Sequence, residues 1–335
     1  MKQGPKRLAV TLVILQLTGI LCYDYLERVE LPNQDRRMSL HQEIVSGEAP
    51  YQYRYRILIP YVAEELARTL NRLAPARWAI PYDPHPYSKK AFGVAYLILN
   101  AAAIWLFLFG VQALAQTWFS RQTALAGTVL AALVMELTFR DHYFHPWSFW
   151  EAAFFSLGLL YLSRRRFGWF TLINVLGVLN RETSVFLCAS FAFLVLPARR
   201  PQWSTYLRRT DVRFAFANGL IWLIGFTALH LLVGYRPSTF TVAGAIAGNL
   251  DRWTTAVILN GLLFGPAWLL VLRGLWRGPA FLRRVALVLP FYLGLLLVIG
   301  FWWEIRYWLT VLPILIPALL CGVESPRADT EFPSG

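Results

Sequence analysis

Charged residues are scarce in this chain. Asp, Glu, Lys and Arg make up 15% of its 335 residues, whereas 57% are hydrophobic and 16% are aromatic. Soluble domains carry about 25% charged and about 45–50% apolar residues. The hydrophobic residues also lie in long runs, and a span of the bilayer takes roughly 20 residues. The composition therefore predicts an all-α integral membrane protein.

Cysteine and the motifs of soluble enzymes are also missing or rare. Cys22, Cys188 and Cys321 lie within or at the ends of apolar runs, which excludes a disulfide framework and a metal-ligand spacing. There is no phosphate-binding glycine loop, no G-x-S-x-G elbow and no H-E-x-x-H sequence. Any chemistry must therefore come from residues dispersed between the apolar runs.

Acidic residues are outnumbered by basic ones, with a formal net charge of +13. A nucleic-acid partner would need a basic patch, but the basic residues here form short blocks between apolar runs. The blocks are Lys2–Arg7, Arg164–Arg166, Arg199–Arg213 and Arg273–Arg284. This is the pattern of cytoplasmic loops in membrane proteins, so no nucleic-acid partner is predicted.

The apolar runs predict a single membrane domain, 1–335, with ten spans, both termini in the cytoplasm and no separate soluble domain. The spans are 8–23, 91–118, 123–139, 147–163, 167–180, 183–196, 214–234, 254–272, 285–303 and 307–322. Residues 24–90 form a long external loop. The first span is interpreted as retained, because Gly19–Cys22 has neither a signal-peptidase site nor a good lipoprotein box.

The short fifth and sixth spans have an alternative, a single helix over 167–196. Two crossings leave 17 Lys and Arg in the cytoplasm and five in the short external loops. One crossing leaves ten in the cytoplasm and 11 in the external short segments and C-terminus. Only the first distribution has the usual positive-inside bias, so two crossings are predicted.

The long external loop contains a predicted amphipathic helix at Pro60–Leu73. Its apolar positions are Val62, Leu66, Leu70 and Leu73. Glu64 and Arg68 form an i,i+4 pair on the other face. Such a helix is expected to lie in the membrane interface.

Ionisable residues gather at the predicted external ends of the spans. They are Glu136, Arg140, Asp141, Glu151, Arg181, Glu182, Glu304 and Arg306. Charges close to hydrocarbon are costly and usually face a cavity or a partner. The alternative is that Arg181–Glu182 and Glu304–Arg306 are ion pairs that only fix packing. An external cavity with arginines suits a phosphate ligand, and its carboxylates could act as a base or hold a divalent cation, Mg²⁺ or Mn²⁺.

His142 and His145 have the spacing of two metal ligands on one helix turn. A third ligand other than Asp141 is missing nearby, so a structural or interfacial role explains these histidines better than a metal site does, and substrate contact is a further alternative.

Several short segments resemble one known family. They are Asp35–Tyr51, Tyr53–Pro60, Asn180–Ser184, and Glu304–Tyr307 followed by Leu312-Pro313. The first two resemble the first external loop of the GT-C superfamily, which comprises polytopic glycosyltransferases with lipid-linked donors. That loop has an acid, a short helix ending in Gly, and an aromatic–Arg–Pro segment before a juxtamembrane helix. The other two resemble segments of bacterial members.

The resemblance implies transfer of a hexose or pentose from a polyprenyl-phosphate-linked donor. The acceptor would be a glycan, lipid or protein at the periplasmic face of the inner membrane. Asp35 would be the catalytic base and Asp141 a second-loop acid. Arg36 stands where many members have a second acid, so Asp24 is a rival to Asp35. Donor binding would fall to Arg54, Arg56, Arg181, Glu182, Glu304 and Arg306.

Two other functions use the same residues differently. A transporter or flippase for a charged or lipid-linked solute would use the arginines only for binding. A non-catalytic subunit of an envelope-assembly complex would fit the small size of the chain. Turnover of a donor by the purified protein separates the enzyme from both.

Overall fold

The chain forms a helical bundle in the computed structural model, which describes residues 4–73, 88–141, 146–197, 203–234 and 241–327. Within these ranges every regular element is helical. The α-helices are α1 Gly4–Tyr25, α2 Gln34–Val45, α3 Tyr51–Arg54, α4 Leu58–Leu73, α5 Lys89–Ala115, α6 Arg121–Leu137, α7 Trp147–Ser163, α8 Phe167–Asn180, α9 Val185–Val195, α10 Trp203–Arg208, α11 Thr210–Val233, α12 Val242–Asp251, α13 Trp253–Phe264, α14 Ala267–Arg277, α15 Ala280–Val285, α16 Val288–Ile299 and α17 Trp308–Val323. The prediction of an all-α fold is confirmed.

Several of these helices have the length and apolar composition of membrane spans. Five qualify among the described residues: Leu8–Val45, Lys89–Ala115, Thr210–Val233, Ala280–Ile299 and Ile305–Val323. A sixth is obtained if α13 and α14, which meet at a 66° bend, count as one span. The remaining predicted spans coincide with shorter helices, α6 to α9.

The bend between α13 and α14 differs from the continuous span predicted over 254–272. Gly265 stands at the break with φ +44° and ψ −128°, a conformation that a side chain would disfavour. Pro266 follows and cannot donate a backbone hydrogen bond to continue the helix. This Gly-Pro pair explains why the apolar run does not form one straight helix.

The chain also breaks between α8 and α9, as the two-helix prediction requires. Arg181 leaves the helical conformation with φ −166° and ψ 142°, and a 3₁₀ turn at Glu182–Ser184 leads into α9. The alternative of one continuous helix over 167–196 does not agree with this geometry. The break places Arg181 and Glu182 at a corner rather than on a helix face.

The first helix runs further than the predicted span 8–23. It continues through a π-helical turn, Leu26–Glu30, and a 3₁₀ turn, Leu31–Asn33, directly into α2. Pro32 cannot donate to the preceding turn, so the helix changes its hydrogen-bond register around it instead of stopping. The Asn33 side-chain amide donates to the Val29 carbonyl at 2.8 Å and supports the join.

The amphipathic helix predicted at Pro60–Leu73 is present as α4, and the face that it packs against the protein is a different one from the predicted apolar face. Ile59, Ala63 and Ala67 are buried, whereas Val62 and Leu73 are exposed. Small alanine side chains let α4 pack closely against α5. Large apolar residues in an interfacial helix can instead point away from the protein, towards the bilayer boundary.

The C-terminal helix α17 lies in the centre of the bundle. It packs against α5, α6, α7 and α14, and Leu312, Ile314 and Ala318 are fully buried. Its close contact with α14 depends on two glycines. A Cβ added to Gly274 would overlap the Ala318 carbonyl oxygen, and one added to Gly322 would overlap the Leu270 carbonyl oxygen. This packing fixes the 3₁₀ turn Ile305–Tyr307, which directly precedes α17.

Candidate functional site

A cavity of about 370 Å³ lies between the α3–α4 segment, the corner between α8 and α9, α16 and the segment that precedes α17. We call it the arginine cavity. Its charged and tyrosine residues are Tyr53, Arg56, Arg181, Glu182, Tyr292, Glu304, Arg306 and Tyr307. Its apolar wall consists mainly of Val185, Val242, Leu295, Leu296, Ile299 and Phe301. The cavity thus combines a cationic, aromatic side with an apolar side.

Arg56 enters the cavity from the segment between α3 and α4. Its Nη2 donates to Oε1 of Glu182 at 2.8 Å. The guanidinium also lies 5.2 Å from the ring centroid of Trp147 and 5.7 Å from that of Tyr53. Burial lowers the pKa of Arg56 from its ordinary value, Glu182 opposes this effect, and the charges of Arg181 and Arg306 add to it. All three arginines line this one cavity.

Arg181 enters from the corner between α8 and α9. It forms a buried ion pair with Glu151 of α7, and the Thr183 hydroxyl donates to the other oxygen of the same carboxylate. Its guanidinium lies 5.6 Å from the ring centroid of Tyr307. Because a buried charge requires a partner, Glu151 holds Arg181 at the cavity wall.

Arg306 belongs to the turn before α17, and its partner lies in the same segment. Both Nε and Nη2 of Arg306 donate to one carboxylate oxygen of Glu304. The guanidinium lies 4.9 Å from the ring centroid of Tyr307. The Tyr292 hydroxyl donates to the Tyr307 carbonyl at 2.7 Å and attaches this turn to α16.

Asn249 of α12 shapes the segment that leads to Glu304. Its side-chain amide donates to the carbonyls of Leu297 and Gly300, each at 3.0 Å, and accepts from the Trp302 N–H at 2.9 Å. The C-terminal carbonyls of a helix lack intrahelical donors, and this side chain supplies them. These bonds stabilise the end of α16 at Ile299, from which the chain turns into the cavity. The predicted span 285–303 extends past this end.

Each of the three arginines retains an unused donor. Arg56 Nε, Arg181 Nε and Arg306 Nη1 are buried and have no hydrogen-bond partner in the described part of the chain. Buried polar atoms are normally satisfied, so these nitrogens need acceptors that the described residues do not supply.

The structure brings together five of the residues predicted from the sequence: Arg56, Arg181, Glu182, Glu304 and Arg306. Of the two ion pairs considered from the sequence, Glu304–Arg306 forms. Arg181 and Glu182 do not pair with each other, because Arg181 binds Glu151 and Glu182 binds Arg56. Tyr53, Tyr292 and Tyr307 were not predicted. Tyr53 and Tyr307 stand one to three positions from a predicted arginine, and both lie in segments that carry the family resemblance.

Asp35, Asp24 and Arg54 are not among the residues that line the cavity. The side chain of Asp35 is 71% exposed, and its Oδ1 lies 2.6 Å from Nζ of Lys89. Asp24 pairs with Arg28 one turn later at 2.7 Å. Both acids therefore pair with residues other than Arg56, Arg181 and Arg306.

The second-loop residues are described only in part. Asp141 ends the 3₁₀ turn Thr138–Asp141, which packs against the turn Ile305–Tyr307, but its side chain is outside what the structure describes. His142 and His145 lie outside the described residues. In the described ranges no group of three or more His, Cys, Asp and Glu side chains could hold a metal ion.

A second group of buried polar residues lies beneath the first loop. Arg37 pairs with Glu30, and His41 is bonded to Glu64 and to Tyr96, each at 2.9 Å. These contacts tie α2 to α4 and to α5. Arg56 lies two residues before α4, the helix to which His41 is bonded through Glu64.

Comparisons with known proteins give no family assignment. No family model matches this sequence, and no curated protein or solved structure matches it either. The functional argument therefore rests on the residues of the cavity.

Proposed function

We propose that this protein is a membrane glycosyltransferase of the GT-C type. It moves a sugar from a polyprenyl-phosphate-linked donor to an acceptor on the external side of the inner membrane. The observation that carries the proposal is the arginine cavity: Arg56, Arg181 and Arg306 come from three distant parts of the chain and line one space with an apolar wall.

The arginines fit a donor phosphate. A guanidinium presents a planar fork of donors that matches phosphate oxygens and keeps its charge when buried. All three guanidiniums line the cavity, and those of Arg181 and Arg306 lie over the ring of Tyr307. Donors held in place before the reaction stabilise charge as it develops, here on the departing lipid phosphate.

The apolar side fits the lipid part of the donor. Leu295, Leu296 and Ile299 of α16 line the cavity, and Val298 and Ile299 are exposed on the outer surface of the same helix. An isoprenoid chain could follow this helix from the cavity into the bilayer. A water-soluble nucleotide sugar would gain nothing from such a wall.

Binding of a divalent cation remains a prediction, and the residues of the cavity give it little support. The two carboxylates that line it, Glu182 and Glu304, are each bound to an arginine. Three guanidiniums around them repel a second cation. The mechanism proposed here uses no metal-dependent step, and activity measured in EDTA tests the prediction.

The proposal requires the predicted ten-span topology, with the cavity outside and both termini inside. Reporter fusions after Pro197 and Gly322 should report cytoplasm, because the basic loops beside them are predicted to remain inside. A fusion after Gly234 should report the external side. An external signal at Pro197 would contradict two crossings over 167–196 and the external position of Arg181.

Asp35 and Asp24 are the bases implied by the family resemblance, and their substitution is a direct test. We expect Asp35→Asn to change transfer by less than about threefold, since removing a general base costs about 10²–10⁴ and this carboxylate is exposed beside Lys89. The same is expected of Asp24→Asn. A loss of about 10²-fold or more in either variant would instead identify that acid as the general base.

The test of the function itself uses the purified protein in lipid nanodiscs. Short-chain polyprenyl phosphates that carry a labelled hexose or pentose are supplied with a saccharide acceptor. Release of free polyprenyl phosphate together with labelled product is the expected result. Binding of intact donor without turnover would favour a transporter or flippase, and neither binding nor turnover would favour a non-catalytic subunit.

A further inference from the structure

Of the two carboxylates that line the arginine cavity, Glu182 is the more exposed. We propose that Glu182 is the general base, the group that takes the proton from the acceptor hydroxyl. This inference rests on the proposed function and goes beyond it, because the first-loop acids implied by the family resemblance do not line the cavity.

Openness to the cavity distinguishes Glu182. Its side chain is 43% exposed, against 21% for Glu304 and at most 7% for the three arginines. One oxygen of Glu304 accepts from two donors of Arg306 within the same segment. Glu182 is therefore the carboxylate that an acceptor entering the cavity can reach.

The orientation of Glu182 is fixed without blocking it. Arg56 Nη2 holds Oε1 at 2.8 Å, and Arg56 itself is buried against Trp147 and Tyr53. The adjacent residue, Arg181, is directed by its extended backbone towards Glu151. One corner of the chain thus presents a carboxylate and a phosphate-binding guanidinium side by side, held by different partners.

This arrangement supports a direct displacement. The Glu182 carboxylate accepts the proton of the acceptor hydroxyl while that oxygen bonds to C1 of the sugar. The bond between C1 and the phosphate oxygen breaks, and its electron pair stays on the phosphate, next to Arg181 and Arg306. Glu182 then loses its proton to solvent, so atoms and charges balance with donor and acceptor alone. Arg56 acts as a positioning residue, since it holds the base.

The experiment compares Glu182→Gln with wild type in nanodiscs, using two nucleophiles. A hydroxyl acceptor must lose a proton, whereas azide attacks C1 without losing one. We expect Glu182→Gln to lower transfer to the hydroxyl acceptor by at least about 10²-fold. Formation of the glycosyl azide and affinity for the lipid donor should stay near wild type, because Gln preserves shape and can still accept from Arg56.

Two further variants complete the design. Glu65→Gln removes an exposed carboxylate of α4 and should leave both reactions unchanged. Glu182→Asp keeps a carboxylate at a shorter reach and should give a rate between wild type and Glu182→Gln. Thermal unfolding of each variant shows whether it is folded, and Glu182→Asp still tests the role if Glu182→Gln is not.

The outcomes separate this inference from the proposed function. If wild type transfers sugar and Glu182→Gln does so equally well, Glu182 is not the base although the function stands. Loss of donor binding, or loss of both the hydroxyl and the azide reaction, would also overturn the inference. Asp141→Asn is then the next variant to measure, because its turn packs beside Arg306. If wild type transfers no sugar, the function fails and the inference with it.

Discussion

Arg181→Lys should lower sugar transfer by at least about 10²-fold, the loss typical when one donor to a developing anion is removed. Lys keeps the positive charge beside Glu151, so the buried ion pair and the fold should survive. It cannot supply a planar fork of donors to Glu151 and phosphate at the same time. The variant therefore removes the planar fork of donors and keeps the positive charge.

The measurement is kcat/KM for the lipid donor, together with donor affinity and the melting temperature in nanodiscs. Arg72→Lys serves as the matched control, since Arg72 is exposed near the end of α4. Arg306→Lys should behave as Arg181→Lys does. Full activity in both would assign these arginines to packing alone and remove them from the site.

Gly274→Ala should destabilise the protein by about 1–3 kcal/mol, the usual cost of adding an atom to a closely packed contact. The new Cβ would overlap the Ala318 carbonyl oxygen and would stand 2.8 Å from the Gly322 backbone nitrogen. Neither obstacle is a flexible side chain, so α14 and α17 must move apart. That movement also disturbs the turn that carries Arg306.

Gly294→Ala is the matched control, because nothing lies within 4 Å of the position that its Cβ would take. In a helix, Ala is more favourable than Gly by about 0.8–1.0 kcal/mol, so this variant should be neutral or slightly stabilised. Thermal unfolding in one detergent provides the comparison. Equal melting temperatures for the two variants would contradict the close approach of α14 and α17.

The positions of the helices could be predicted from the sequence because the bilayer demands long apolar segments. The described structure has helices at every predicted span, including the break at Arg181. The bend at Gly265 and the continuation of α1 into α2 were not predicted. Both depend on local backbone geometry around a proline, which hydropathy does not record.

Several residues of the arginine cavity could be predicted from the sequence, but the ion pairs between them could not. Charges at the ends of apolar runs identified Arg181, Glu182, Glu304 and Arg306. Which carboxylate meets which arginine depends on how each helix is rotated about its axis, and the sequence gives no measure of that. Asn249 illustrates the limit, since its role comes from contacts with residues about 50 positions away.

Under the proposed function, the ion pairs of the cavity make it a site where phosphate exchanges with carboxylates, rather than an open positive surface. Arg56, Arg181 and Arg306 already have carboxylate partners, Glu182, Glu151 and Glu304. An incoming phosphate must compete with these anions for the same guanidiniums, so its charge alone contributes little to affinity. Phospholipid headgroups, which are in large excess in the bilayer, would bind weakly for this reason. Selectivity would then come from the sugar and the isoprenoid chain, and the carboxylates could displace the spent lipid phosphate once the sugar has left.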